Sequence, residues 1–246
     1  MCTKKIALLF FLLCLFQSTF SQINNEDKAY YLAFDSIIGQ ENTSLYNGKR
    51  YVDRYRSLEN KHRYFLQSKF QKGHVVYNQQ PFFNINLKYD LFEDVLIAKL
   101  SGNKSFFNMV FISEHVEKFS IQEHQFINLN VFENSNFTGF AEIIYSGNDL
   151  ILLKKWTKEK KDNIRGQAVV YEFDENLMYI VSNKGKLETI KSKNSLKKLI
   201  PEKSSIINEF YRDQKPLLKS NPDLFMKQLI IKINENVFNE TQKNLE

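Results

Sequence analysis

Between Gly73 and Ile190 the chain breaks into short β-branched or aromatic runs separated by polar turns about ten residues apart, and this rhythm decides the fold class. Eleven runs read as strands: 74–78, 82–89, 95–100, 106–112, 115–121, 125–131, 139–145, 150–156, 167–173, 177–182 and 186–190. Ser146-Gly147-Asn148-Asp149, Asp174-Glu175-Asn176 and Asn183-Lys184-Gly185 have the composition of turns between them. Within 82–89, Ile85, Leu87 and Tyr89 point one way and Asn84, Asn86 and Lys88 the other, so one face is buried and one is wet. An antiparallel sheet of this size curls or closes to limit its exposed edges, as an open barrel or a sandwich.

Helical spacing flanks the strands. From Asp27 to about Gly39, Tyr30, Tyr31, Phe34, Ile37 and Ile38 recur at helical intervals and stop at a glycine, which predicts one amphipathic helix. Beyond it, Tyr46, Tyr51, Val52, Tyr55 and Leu58 line either a second short helix or a loop packed on the body. After Ser192, Pro201 and Pro222 stand where first helical turns begin. Ile206, Ile207 and Phe210 mark one helix there, and Phe225, Leu229, Ile233 and Val237 another. The expected fold is α+β and mostly antiparallel β: a large curved meander with an N-terminal helix and a C-terminal helical tail. Its divisions are a signal peptide over 1–21, a helical or irregular segment over 22–72, the meander over 73–191 and the tail over 192–246.

The first residues give an address. Lys4 and Lys5 precede an apolar core from Ile6 to Phe16, and Thr19 and Ser21 supply small residues, the anatomy of a secretory leader cleaved after Ser21. That core is shorter than the roughly 20 residues needed to span a bilayer, and no later apolar run reaches that length. A lipoprotein leader ending at Cys14 is the weaker reading, because Leu13 stands where a small residue is required. The predicted location is periplasmic or associated with the outer envelope. Both cysteines, Cys2 and Cys14, fall in the leader, so residues 22–246 can form no disulfide and supply no thiol nucleophile.

Other chemistries are closed by what the sequence lacks. The glycines at 39, 48, 73, 102, 139, 147, 166 and 185 are too far apart for a phosphate-cradling loop or a dinucleotide fingerprint. Neither a Gly-x-Ser-x-Gly elbow nor a His-Glu-x-x-His helix is present. The formal net charge of +6 includes Lys4 and Lys5 of the leader, a mild balance that favours anionic surfaces weakly. An exported protein meets little nucleic acid, so that partner is discarded, and no cofactor is expected.

Four features bear on function. Asp90, Glu93 and Asp94 fall between two apolar runs; the favoured reading is a solvated turn with Asp90 accepting backbone N–H bonds, ahead of a calcium contact or a catalytic acid pair. His62, His74, His115 and His124 lack metal-ligand spacing, so no metal site is assigned. The stretch "KKWTKEKKDNIR" sets Lys154, Lys155, Lys158, Lys160 and Lys161 around Trp156, the only tryptophan, and reads as the end of a strand and a long hairpin tip. Those six residues are the candidate binding residues, a clamp for an anionic glycan, a lipid headgroup or an acidic envelope protein, set against a solvated tip whose lysines discourage edge pairing. Phe82, Phe107, Phe111, Phe119 and Phe126 are spaced as core, with an apolar ligand cavity as the minority reading.

The stretches "ENTSLYNGKRYVDRYR", "KGHVVYNQQPFFNINLKYDLFEDVLIAKL", "TGFAEIIYSGNDLILLKKW" and "SLKKLIPEKSSIINEFYRDQKPLLKSNPDLFMKQLI" together resemble a family of uncharacterised secreted β-rich proteins of Bacteroidota-type bacteria. The resemblance spans nearly all of 22–246 and extends to the leader's Phe-Ser-Gln ending. It implies an envelope address and a single β-rich unit, and carries over no catalytic or binding residue. The function expected is a non-catalytic, envelope-associated module that binds a protein partner or an amphiphilic ligand. The alternative is an envelope-directed hydrolase with a carboxylate or histidine site assembled from distant strands.

Overall fold

The computed structural model describes residues 25–39, 42–101, 106–133, 135–165 and 168–243. The expected leader lies outside the described residues. Among the described residues helix α1 (Asn25–Ile38) comes first, followed by eleven strands. These are β1 (Gly48–Arg50), β2 (Gln71–Tyr77), β3 (Gln80–Asp90), β4 (Val95–Ser101), β5 (Phe106–Phe111), β6 (Val116–Ile121), β7 (His124–Asn128), β8 (Phe140–Ser146), β9 (Leu150–Arg165), β10 (Ala168–Asn183) and β11 (Lys186–Ile190). The tail holds α2 (Lys193–Leu199), α3 (Ser204–Asp213), α4 (Lys215–Ser220) and α5 (Pro222–Lys243). The fold is α+β with one open antiparallel sheet, as the strand rhythm predicts.

The sheet order is β1-β5-β4-β3-β2-β6-β7-β8-β9-β10-β11. It is a meander with two crossovers: β1 lies against β5, so the chain passes over three strand positions to reach β2, and it returns after β5 to set β6 against β2. One register row crosses the sheet from Phe82 through Val75, Phe119, Phe126, Glu142, Lys154 and Tyr179 to Ile190. This inner face is apolar at both ends and charged at Glu142 and Lys154. Four strands separate β3 from β9, yet the Lys158 N–H donates to the Leu91 carbonyl at 3.3 Å, so the sheet curls onto itself without closing.

A belt over 51–67 lies across that curl. The Tyr51 N–H extends β1 onto the Asn108 carbonyl, the Tyr171 N–H donates to Arg56 at 2.9 Å, and Phe65 and Leu91 exchange backbone bonds with Tyr89 and Arg63. Of the two readings left open for this segment, the packed loop is the one found. Beneath the belt, Tyr89, Phe119, Phe126 and Phe140 pack edge to face, with Phe119 and Phe126 stacked at 4.7 Å. Each such ring contributes roughly 1.5–3 kcal/mol on burial. They fill the inner face rather than leave it hollow, and Phe82 and Phe111 join the same core.

A second core on the same face lies under the tail, where Leu152, Val181 and Ile190 meet Leu196, Ile207, Phe225 and Leu229. The helix starts follow their local chemistry. Ser192 and Ser195 form a reciprocal capping box ahead of α2, and Pro222 opens α5, where its missing N–H costs nothing. A third core on the outer face packs Leu129, Phe132 and Phe137 against Leu153, Ile180 and Leu187.

Three local expectations are corrected. The runs 167–173 and 177–182 belong to one strand, and Asp174-Glu175-Asn176 is its middle rather than a turn. Turn-forming residues are held extended there by the ladder to β9, and Lys61 and Lys161 both bind the Asp174 carboxylate beside it. The stretch Lys154 to Arg165 is likewise strand throughout, paired residue for residue with β10. Finally, 125–131 ends as a strand at Asn128, whose side chain accepts the Asn130 N–H at 3.0 Å and opens a 3-10 turn.

Candidate functional site

The acidic turn is a turn, but it is not solvated. Asp90 ends β3 with no exposed surface, and Oδ1 accepts the backbone N–H groups of Phe92 and Glu93 at 3.1 Å each. Its Oδ2 lies 2.9 Å from Nε of Arg63, which the belt lays over it. Burial, only partly offset by Arg63, pushes the Asp90 carboxyl up to about 6. Around the guanidinium, Tyr64 donates to Asp53 at 2.7 Å, the Tyr51 and Tyr64 hydroxyls meet at 2.6 Å, and Tyr55 offers a ring face at 4.7 Å. Burial holds Lys88 and Lys158 below their usual range, and burial followed by its neighbours holds Tyr64 above its own.

The other two acids diverge. Asp94 accepts from the Tyr89 hydroxyl at 2.6 Å and pairs with Lys155 at 2.8 Å, while Glu93 is exposed at 4.0 Å from Arg63. Gly139 is needed beside them: its φ of +75° suits glycine, and a Cβ there would collide with the Asp94 carboxylate. Perturbed acids in a cluster are a reason to ask about catalysis. Asp90, however, faces protein on every side, and a general acid must reach the proton it transfers. The arrangement fastens the belt to β3.

The candidate binding residues alternate between the two faces of β9 and do not share a tip. Lys154 and Trp156 face inward. Lys154 is buried, pairs with Asp223 of α5 at 2.7 Å, and sits 3.7 Å from the Trp156 ring centroid. Trp156 packs against Phe65 and donates its indole N–H to Glu142 at 2.7 Å; the other Glu142 oxygen meets His124 at 2.5 Å. Tyr179 donates to the same Asp223. This chain of contacts rivets the belt core to the helix core.

Further along, Lys158 donates to the carbonyls of His62 at 2.7 Å and Tyr64 at 3.2 Å. Lys160 lies over Tyr171 and pairs with Asp162, and Lys161 pairs with Asp174, whose carboxyl is held down to about 2 by Lys161 and Lys61. Lys155 faces outward onto Asp94 and the carbonyls of Thr138 and Phe140. Tyr46 packs on Phe107, away from Trp156, so the aromatics and lysines present no single face. Among the described residues no three histidine, aspartate or glutamate side chains converge as metal ligands.

The open apolar surface lies elsewhere, beside α1. The helix packs on β3 through Tyr31 and Lys28, both over the Phe83 ring. Three other large residues split from these: Tyr30, Phe34 and Ile37 are 76%, 52% and 85% exposed, at i, i+4 and i+7 along one stripe. Next to them, on the outer face, a groove of about 230 Å³ is lined by His74, Val76, Phe83, Lys118, Gln125 and Ile143. Burial and the nearby Lys28 hold the His74 imidazole of this groove below its usual range.

Sequence reasoning marks the apolar residues of α1 but not their division between two faces, and it misses Arg63, Asp53 and Glu142 altogether. An arginine next to a tyrosine in "NKHRYF" is the only signal of the first cluster, and nothing in the sequence pairs them with Asp90. Comparison with known protein families, curated proteins and solved structures finds no match to this chain. Among the described residues no helix is long and apolar enough to cross a membrane.

Proposed function

We propose that the protein is a non-catalytic, exported module of the cell envelope that binds a protein partner through the stripe of α1 and the groove beside it. The observation that carries this reading is the stripe itself. Three large side chains at helical spacing stay in water although the same helix half-buries Tyr31 and Lys28 against the sheet. Such a surface costs solubility unless something covers it, and the i, i+4, i+7 arrangement is the pattern by which a helix meets an apolar groove or a second helix. The leader and the resemblance to secreted proteins support the envelope address. The hydrolase alternative would need a perturbed carboxyl open to substrate, and the burial of Asp90 weighs against it.

The test is native mass spectrometry of residues 22–246 purified gently from the host's envelope fraction, beside the double variant Phe34→Ser, Ile37→Ser. A protein retained by the wild type and lost from the variant is the expected result. A lipid-sized mass would replace the protein partner with an amphiphile. A bare monomer in both samples overturns the reading.

A further inference from the structure

The last strand of the sheet has an unpaired side of unusual character. Lys184 and Gly185, at φ +49° and +85°, make a two-residue turn of the primed kind, so the closing pair Asn183 and Lys186 is hydrogen-bonded. Bonded and non-bonded pairs then alternate along the ladder. Val181 with Glu188 and Tyr179 with Ile190 are bonded, while Leu187 and Thr189 turn their N–H and C=O groups away from β10. Because β11 ends the sheet order, those groups face outward, and among the described residues none has a hydrogen-bond partner. The opposite edge, β1, is only three residues long, the usual protection of an edge.

Both sides of the β11 edge are hollowed. On the inner face a cleft of about 420 Å³ separates the strand from Lys198 and Leu199 of α2. On the outer face one of about 980 Å³ is lined by Lys186, Leu187 and Thr189 of the strand together with Phe132 and Phe137. A strand added to β11 would send alternate side chains into the two clefts. Lys184, Lys186, Lys191 and Lys198 line them against the two carboxylates of Glu133 and Glu188, so the surroundings are net basic. We propose that the outer edge of β11 is a strand-addition site for an extended, acidic segment of a partner protein, with apolar side chains meeting Phe132 and Phe137. Backbone bonds to Leu187 and Thr189 supply affinity, and the lysines and phenylalanines supply selection. The site uses neither α1 nor its groove, so it stands independently of the function proposed above.

The probe is a short, capped peptide alternating valine with glutamate, titrated by fluorescence anisotropy into residues 22–246, together with the same peptide N-methylated at every second residue. The unmodified peptide is expected to bind with Kd below about 1 mM. Binding should weaken as salt rises and be lost on N-methylation. Thr189→Pro removes an outward N–H that the native ladder does not use, so it should keep the unfolding midpoint and weaken binding at least about tenfold. Lys191→Glu with Lys198→Glu tests the charge without touching the backbone and should weaken binding similarly. Equal binding of the N-methylated peptide, unchanged binding in both variants, or no binding by the unmodified peptide overturns the proposal. So does sedimentation showing that the edge pairs only with a second copy of the chain.

Discussion

Nε of Arg63 lies 2.9 Å from Oδ2 of Asp90 with the two side chains 2% and 0% exposed, yet the contact is not aligned as a hydrogen bond. The pair is held by charge. Removing one partner leaves the other stranded out of water. Arg63→Met is expected to cost about 3–5 kcal/mol in urea unfolding, and the double change Arg63→Met, Asp90→Leu clearly less, because no buried charge remains. A double variant as unstable as the single one would sink this account.

The same pair sets a pH dependence with a definite sign. The Asp90 carboxyl titrates at about 6 in the folded chain against 3.8 as an ordinary aspartate, so the folded state holds its proton more tightly. Its contribution to stability is therefore present below about pH 4 and lost as pH rises towards about 6. Each tenfold difference in proton affinity between the folded and unfolded chain is worth roughly 1.4 kcal/mol, so the loss is on the order of 3 kcal/mol. It is read as the stability of the wild type minus that of Asp90→Asn, measured across this range. A difference that stays flat or grows with pH contradicts the assignment.

Lys154 and Asp223 form a lopsided pair, since the lysine side chain is 5% exposed and the aspartate 43%. Asp223→Ala leaves a buried ammonium without its counter-charge. Lys154→Met leaves only a carboxylate that water can reach. The first change is expected to be the costlier, by about 1–2 kcal/mol, as seen in urea midpoints. Trp156, as the sole tryptophan, makes fluorescence a direct report on this seam.

Lys158 and Lys161 look alike in the sequence and should behave differently. Lys158→Ser removes the donor from two belt carbonyls and is expected to cost about 1–3 kcal/mol. Lys161→Ser touches an exposed pair and should leave the unfolding midpoint nearly unmoved. Equal effects from thermal unfolding would show that the belt does not depend on Lys158.

For α1 the expectation is the reverse of a core change. Phe34→Ser with Ile37→Ser should leave the unfolding midpoint nearly unmoved, within about 0.5 kcal/mol, while abolishing the retained partner. A large loss of stability would mean that the stripe is covered from within the chain.

The sheet is legible in the sequence because alternation along a strand is a local signal: Ile85, Leu87 and Tyr89 face inward as their spacing demands. The proline and serine starts of the tail are legible for the same reason. The belt is not, because it has no period of its own and takes its shape from strands far along the chain. β9 misleads at Lys158 to Lys161 because charges on a strand resemble a solvated tip until their partners, Asp174 and the belt carbonyls, are known. Asp90 misleads by the same mechanism, since its burial depends on Arg63 and not on the residues around it. In α1 the apolar residues occupy both sides, so periodicity finds the helix without saying which side the sheet takes.

The belt also fixes the order in which this molecule can be completed. Lys158 reaches back across 96 residues to His62 and 94 to Tyr64, so the cover over Tyr89, Phe119 and Phe126, already pinned to β3 through Arg63 and Phe65, gains its second anchor only when β9 exists. Closing such long loops costs entropy before any contact repays it, which slows folding. A chain emerging from its N-terminus therefore carries a half-built aromatic surface for as long as β9 takes to follow, and that interval is when it is most exposed to aggregation and to capture by a chaperone.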